Sequence, residues 1–441
     1  MKTYSLLLTL LLLGMHSPLF ASSNQILIQN IKIFDGHSDT LSASSNVLID
    51  GNKIMKISTT DINATDNTQI IDGKGRVMTP GFIDIHAHVM LQESFGTFLQ
   101  RDSFYIAYIA SREAKRFLMH GFTTIRDLAG NTFSIKKAID QGILVGPRIF
   151  PSGAMISQTS GHSDHRFDSD KPLRIGGRPA VDELQGHTAI ADGEAEVLKA
   201  VREQLRRGAS QIKICVGGGT GSEADPLDVV QYRDKEIKAA VDAAADWGTY
   251  VTAHVYNTEG VRRAIDNGIK CIEHGQLMDE EALKYMKEKD IWLSPQVIVY
   301  TYHPKGFTDD QKKKHDQAYD GIDNMFKMAK KIGFTKIGFG SDIISDLAML
   351  ERINEEFTFR TKWFNNAEIL KQATYNNGQI LAMSGKRAPY KGKLGVIEEG
   401  ALADLLLING NPLEDISILR DYEKNIQLIM KDGVIYKNIL K

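Results

Sequence analysis

Short apolar runs alternate with helical patterns through most of this chain. Between Gly81 and about Met383, strand candidates fall at Phe122 to Asp127, Arg148 to Ser152, Gln211 to Val216, Tyr250 to Tyr256, Lys270 to His274, Ile291 to Val299 and Lys336 to Asp342. One more apolar run, Phe82 to Ile85 leading into His86-Ala87-His88, makes eight. Helical patterns such as Glu194 to Arg207, Arg233 to Trp247 and Glu281 to Lys289 separate them. Strands spaced by helices imply parallel pairing through crossovers, so eight of them predict an α/β fold, a closed (β/α)8 barrel; a doubly wound open sheet is the alternative. The chain ends have a different texture. Ile26 to Ile33, Asn46 to Ile49 and Lys53 to Ile57 read as strands punctuated by Asp35-Gly36 and Asp50-Gly51, and the same texture returns in Gly392 to Ile397, Ala403 to Ile408 and Ile426 to Tyr436. The expected organisation is a barrel over 81–383 beside a small β domain formed from 22–80 and 384–441. The stretch from Met155 to Asp192 has weak periodicity. It reads as a long functional loop after the third strand, on the face where such barrels carry their active sites.

Composition narrows the partners. At 441 residues and 42% hydrophobic content the chain can bury a large core, and 53 Lys and Arg nearly balance 55 Asp and Glu. A formal net charge of −2 leaves no basic field for nucleic acid or an anionic membrane, so a small molecule is the expected partner. Residues 1–21 read as a secretory signal, with Lys2, the apolar run Leu6 to Leu13 and a cleavage site near Ala21. That run is too short to span a bilayer, and the expected location is periplasmic or secreted, with no stable membrane association after cleavage. Cys215 and Cys271 lie in apolar strands and are expected to be inert core thiols. Nothing in the composition fixes the oligomeric state, and a homo-oligomer is allowed.

Polar residues at the ends of apolar strands carry the chemistry. His86 and His88 are two apart on one strand, so both rings leave on one face and can chelate a divalent transition metal. An isolated His-x-His is often only a hydrogen-bonded pair, but Pro80-Gly81 sets a turn just before this run, and Phe82, Ile83 and Ile85 bury the strand. Lys213, His254, His274 and Asp342 end four other predicted strands. The gap from His274 to Asp342 leaves room for two strand–helix units, so the seventh strand is skipped and six candidates face one side of a barrel. Each has a bland reading: a snorkelling lysine, satisfied histidines, an aspartate capping a helix. Together they converge too regularly for that.

With that pattern the chain resembles the amidohydrolase superfamily, in its binuclear branch with a carboxylated lysine. The resemblance assigns His86, His88, His254, His274 and Asp342 as metal ligands, and Lys213 as the lysine that carbon dioxide converts into a bridging carbamate. Ile156 to His162, Ile212 to Gly219 and His254-Val255-Tyr256 are similar to Xaa-Pro dipeptidase-like exopeptidases, relatives of N-acyl amino acid and ochratoxin hydrolases. Ser160 replaces one of the two glycines that usually precede the loop histidine in that branch. The resemblance implies two divalent ions, zinc by default with manganese or cobalt able to substitute, and a hydroxide bridging them that attacks an amide carbonyl. Asp342 would move the proton to the leaving nitrogen, while Tyr256 and His162 would donate hydrogen bonds to the developing oxyanion. His165, His187, Arg166, Arg174, Tyr300 and His303 are further pocket candidates, the arginines as readers of a substrate carboxylate. The expected activity is cleavage of a dipeptide or N-acyl amino acid; hydrolysis of a cyclic amide, as by an imidazolonepropionase, or of a lactone or ester is the alternative.

Overall fold

A computed structural model describes residues 25–440, so the secretory reading of residues 1–21 lies outside the described part. Among the described residues no helix is long and apolar enough to cross a membrane. Strands Gln25–Ile33, Ser45–Asp50, Lys53–Ser58, Gln69–Asp72 and Val77–Pro80 share one sheet with Leu405–Ile408, Ile426–Lys431 and Val434–Asn438. Val77–Pro80 joins the two chain ends, because it pairs parallel to Gln25–Ile33 on one side and antiparallel to Leu405–Ile408 on the other. Ala403 to Ile408 is therefore a strand in the main, but Gly392 to Ile397 is not. Gly392 and Gly395 adopt left-handed backbone there, which ends any ladder.

No tight turn separates Pro80 from the first barrel strand. Pro80 closes Val77–Pro80, and after Gly81 the chain runs straight into Phe82–Ala87. Gly81 is needed for close approach rather than for turning, since a Cβ there would collide with the side chain of Thr123 on the next strand.

Residues after Gly81 build a (β/α)8 barrel. Phe82–Ala87, Phe122–Asp127 and Arg148–Pro151 form one parallel set, and Met155–Ser157, Ile212–Cys215, Val251–Asn257, Cys271–Leu277 and Trp292–Ser294 continue it. The third strand is broken rather than ended at Ser152. Gly153, with φ 75°, kinks the chain, and Met155–Ser157 resumes beside Ile212–Cys215. What the sequence presented as a structureless loop thus begins with a barrel strand and returns through a short strand, Thr188–Ile190, paired with it.

The eighth strand position is occupied by Lys336 to Asp342 with almost no ladder. The amide of Gly338 donates to Leu293 O (2.8 Å), Ile85 N donates to Phe339 O (3.1 Å) and Asp342 N donates to His86 O (2.8 Å). These bonds close the ring between the seventh and first strands. A Cβ at Gly338 would strike Ile85, and one at Gly340 would strike His86, so both glycines let this segment lie against the first strand. Asp84 fastens the seam. Its carboxylate accepts Ser341 Oγ (2.5 Å), Ser341 N (3.1 Å) and His86 N (2.9 Å). Its burial pushes its pKa up to about 7.

Helices Glu194–Arg207, Asp234–Asp246 and Glu280–Glu288 fill the predicted crossovers, with Arg233 and Trp247 as caps of the second. Cys215 and Cys271 are both buried and free of disulfide bonding.

Candidate metal centre

His86, His88, His254, His274 and Asp342 come together inside the barrel, with Lys213, His254 and His274 within their strands rather than at the ends, and the backbone explains how. On Phe82–Ala87 and its extension, alternation alone sends His86 and His88 to the same side, with ring centroids 5.1 Å apart. On Cys271–Leu277 alternation would set Glu273 and His274 on opposite faces. Both nevertheless reach the centre, because His274 has φ 74° and Gly275 follows with φ 75°. Asp342 has φ 52° as well. Left-handed backbone at two non-glycine residues costs of the order of 1–3 kcal/mol each, and here it turns both side chains inward.

Asp342 is the hub. Its Oδ1 lies 2.9 Å from His88 Nε2 and 3.4 Å from His86 Nε2, and its Oδ2 lies 3.9 Å from His274 Nδ1. His86, His274 and Asp342 offer ligand atoms all within 4.8 Å of one another. His254 stands behind His274, ring centroids 4.4 Å apart, with Nε2 3.0 Å from Gly218 O. Lys213 is buried on Ile212–Cys215, and its Nζ makes no hydrogen bond or ion pair among the described residues.

Burial holds His86 down at about 4 and His254 and His274 well below the usual histidine value, and the Lys213 charge acts on all three in the same direction. These imidazoles are neutral and each keeps a lone pair. Burial opposes ionisation of Asp342, but His86, His88 and His274 outweigh it and hold the carboxyl well below the usual range. Burial lowers the pKa of Lys213, favouring the uncharged amine. Neutral imidazole nitrogens, one carboxylate and a buried lysine form a donor set that suits a borderline divalent cation.

Both side chains expected to donate to an oxyanion lie against the cluster. Tyr256 stacks on His274 (5.0 Å between centroids) and shares a 2.7 Å hydrogen bond with Tyr300, whose hydroxyl is 3.1 Å from His274 Nδ1. His162 stacks on His254 at 3.9 Å with an interplanar angle of 13°. Its Nδ1 is held by Ser222 Oγ at 2.8 Å. Gly219 makes room for this ring, since a Cβ there would overlap the imidazole of His162.

The weaker candidates divide. Tyr300 is in the centre, but Arg166 is tied to Asp164 through Nε (2.7 Å) and Nη2 (2.5 Å), and Arg174 is exposed on the short 3-10 helix Leu173–Ile175. Arg166 thus spends its Nε–Nη2 edge on a local carboxylate, and Arg174 is open to solvent. His165 pairs with Asp182 (2.7 Å), His187 accepts from Asn131 N (3.1 Å) and His303 pairs with Asp316 (2.7 Å), all fastening local structure.

Sequence reasoning missed Glu273, Gln296 and Arg126. Gln296 bridges the ligands, with Oε1 2.9 Å from His274 Nδ1 and Nε2 3.0 Å from His86 Nδ1. Arg126 and Glu273 form a fully buried ion pair at 2.6 Å beneath the histidines. A signal was present for Arg126 and Glu273: each is a charge inside an otherwise apolar strand, where an unpaired charge is very costly.

The profile of the amidohydrolase family matches residues 77–438. The chain is 31% identical over 374 residues to ochratoxinase of Aspergillus niger, spanning 82% of this chain and 76% of that protein. A crystal structure of a prolidase complexed with N-methylphosphonate-L-proline matches with a TM-score of 0.87 and 33% identity, over 94% of this chain and 100% of that one. A Xaa-Pro dipeptidase with bound methionine in its active site matches with a TM-score of 0.81 and 31% identity, over 94% and 100%.

Proposed function

This chain belongs to the amidohydrolase family, and on that premise we propose that it is an exported, metal-dependent hydrolase cleaving a dipeptide or N-acyl amino acid at its C-terminal residue. The observation that carries the reading is the meeting of His86, His274 and Asp342 within 4.8 Å, flanked by His88 and His254 and by a buried Lys213. Likeness to a prolidase and a Xaa-Pro dipeptidase favours a substrate that ends in an amino-acid residue. Export rests on the amino-terminal run alone.

His86, His88, His254, His274 and Asp342 would hold two divalent ions, zinc by default. Lys213 joins them by adding its neutral Nζ to the carbon of CO2 and releasing a proton, which leaves an anionic carbamate with two oxygens. When bound, the ions lower the pKa of water and polarise the scissile carbonyl. Asp342 accepts the proton of the attacking water and returns it to the leaving nitrogen. Tyr256 and His162 donate hydrogen bonds to the carbonyl oxygen as it gains charge.

Activity of the zinc-reconstituted protein on a panel of dipeptides, N-acyl amino acids, cyclic amides and lactones tests the assignment. Turnover of the first two classes is expected; activity confined to lactones or cyclic amides would overturn it. The role of His162 has its own test through Gly219. Gly219→Ala should push the imidazole off His254 and lower kcat/KM by about a hundredfold, the scale of a misplacement near 1 Å, with metal content unchanged. Steady-state kinetics beside elemental analysis reads both quantities, and unchanged kcat/KM would remove His162 from the reaction.

A further inference from the structure

The interior layers of such a barrel are normally filled by branched apolar side chains. Directly under the histidine cluster this barrel instead buries a charged pair from opposite strands, Arg126 of Phe122–Asp127 and Glu273 of Cys271–Leu277. Arg126 is pinned from several sides: Nε donates to Ile85 O (2.6 Å), Nη1 to Tyr250 OH (2.9 Å) and Nη2 to Glu273 Oε1 (2.6 Å). Thr252 donates to the same Oε1. The other carboxylate oxygen, Oε2, is buried and has no partner in hydrogen-bond geometry among the described residues, and His86 Nδ1 stands 2.9 Å from it.

We propose that Glu273 is a positioning residue for His86, keeping the imidazole proton on Nδ1 and so presenting the Nε2 lone pair to the side occupied by Asp342. This rests on the reading of His86 as a metal ligand. An anionic oxygen facing a ring nitrogen at 2.9 Å is tolerable only if that nitrogen bears the hydrogen. Gln296 Nε2, 3.0 Å from the same Nδ1, is a donor and would favour a bare nitrogen there, but it donates to Ser294 O at 2.6 Å, and the charge of a carboxylate oxygen at 2.9 Å outweighs a neutral donor in placing the imidazole hydrogen. On the far side of the ring, His86 Nε2 and Asp342 Oδ1 are 3.4 Å apart, longer than a good hydrogen bond. Arg126 serves by keeping Glu273 ionised and by tying it to Ile85, the residue next to His86 in the chain. Carboxylate partners of this kind fix the tautomer and raise the basicity of a ligating histidine.

The test pairs Glu273→Gln with the double variant Glu273→Leu and Arg126→Met, which removes both charges and leaves no unpaired ion in the core. Zinc affinity is measured by chelator competition and folding by thermal melting. The double variant should fold and bind zinc about ten- to a hundredfold more weakly, with Glu273→Gln between it and wild type because its amide oxygen still accepts. A folded double variant with wild-type zinc affinity overturns the proposal. If it fails to fold, the imidazole 15N spectrum of the zinc-loaded wild type decides: a proton on Nδ1 of His86 supports the proposal and a bare Nδ1 refutes it. A wild-type protein that takes up no divalent ion refutes the metal reading itself.

Discussion

Lys213→Met should abolish metal retention and lower amide hydrolysis by about three orders of magnitude or more, because polarisation and water activation by the ions are worth several kcal/mol of barrier. The expected stability change is what separates this from an ordinary core lesion. Lys213 is buried with no hydrogen bond or ion pair among the described residues, and burial drives it toward the neutral amine. Replacing it with an apolar chain of similar length removes a buried polar group that no hydrogen bond satisfies among the described residues, so the metal-free variant should melt no lower than the metal-free wild type. A structural lysine predicts the opposite, a drop in Tm with metal content preserved. Short carboxylic acids added to Lys213→Ala should restore part of the metal and part of the rate, since they resupply the two oxygens that the carbamate would offer. Intact-mass analysis of the wild type under CO2 should show the added carboxyl group. Full activity with an unmodified amine would end the carbamate assignment.

Much of this centre was legible because polar residues at the ends of apolar runs are conspicuous. His86 and His88 sit where alternation places them, at the end of Phe82–Ala87 and just beyond it, while Lys213 and His254 lie inside Ile212–Cys215 and Val251–Asn257, not at their ends. His274 and Asp342 were found by position in the chain, but their inward aim depends on left-handed backbone that no hydrophobic pattern encodes. The third and eighth strands were harder. Gly153 breaks one into two short pieces, and Gly338 and Gly340 let the other close the ring through isolated hydrogen bonds rather than a ladder. Arg166 shows the limit most clearly. Its chemistry suits a substrate carboxylate, but Asp164, two residues before it, takes the Nε–Nη2 edge. Whether a loop arginine faces a site or its own neighbour depends on the fold of the whole insertion. Glu273 is the converse case, a residue whose role depends on a partner from a strand almost 150 positions away in the sequence, Arg126.

Asp342→Asn should cut kcat by at least about two orders of magnitude, the contribution of a positioned acid–base group, while leaving KM within a few-fold of wild type. The substitution keeps an oxygen where Oδ1 now faces His88 and His86, so a metal-replete protein can be prepared and compared directly. What is lost is the anion. A carboxylate can take up a proton and hand it on, whereas an amide oxygen is too weak a base to do so. The split between kcat and KM separates this role from substrate binding, which would raise KM and spare kcat. Metal analysis separates it from simple loss of a ligand. Because the left-handed backbone at Asp342, φ 52°, is one that asparagine tolerates better than most residues, the variant should also fold without a large drop in Tm. A metal-replete Asp342→Asn enzyme with near-normal turnover would take the proton shuttle away from Asp342 and leave it as a ligand alone.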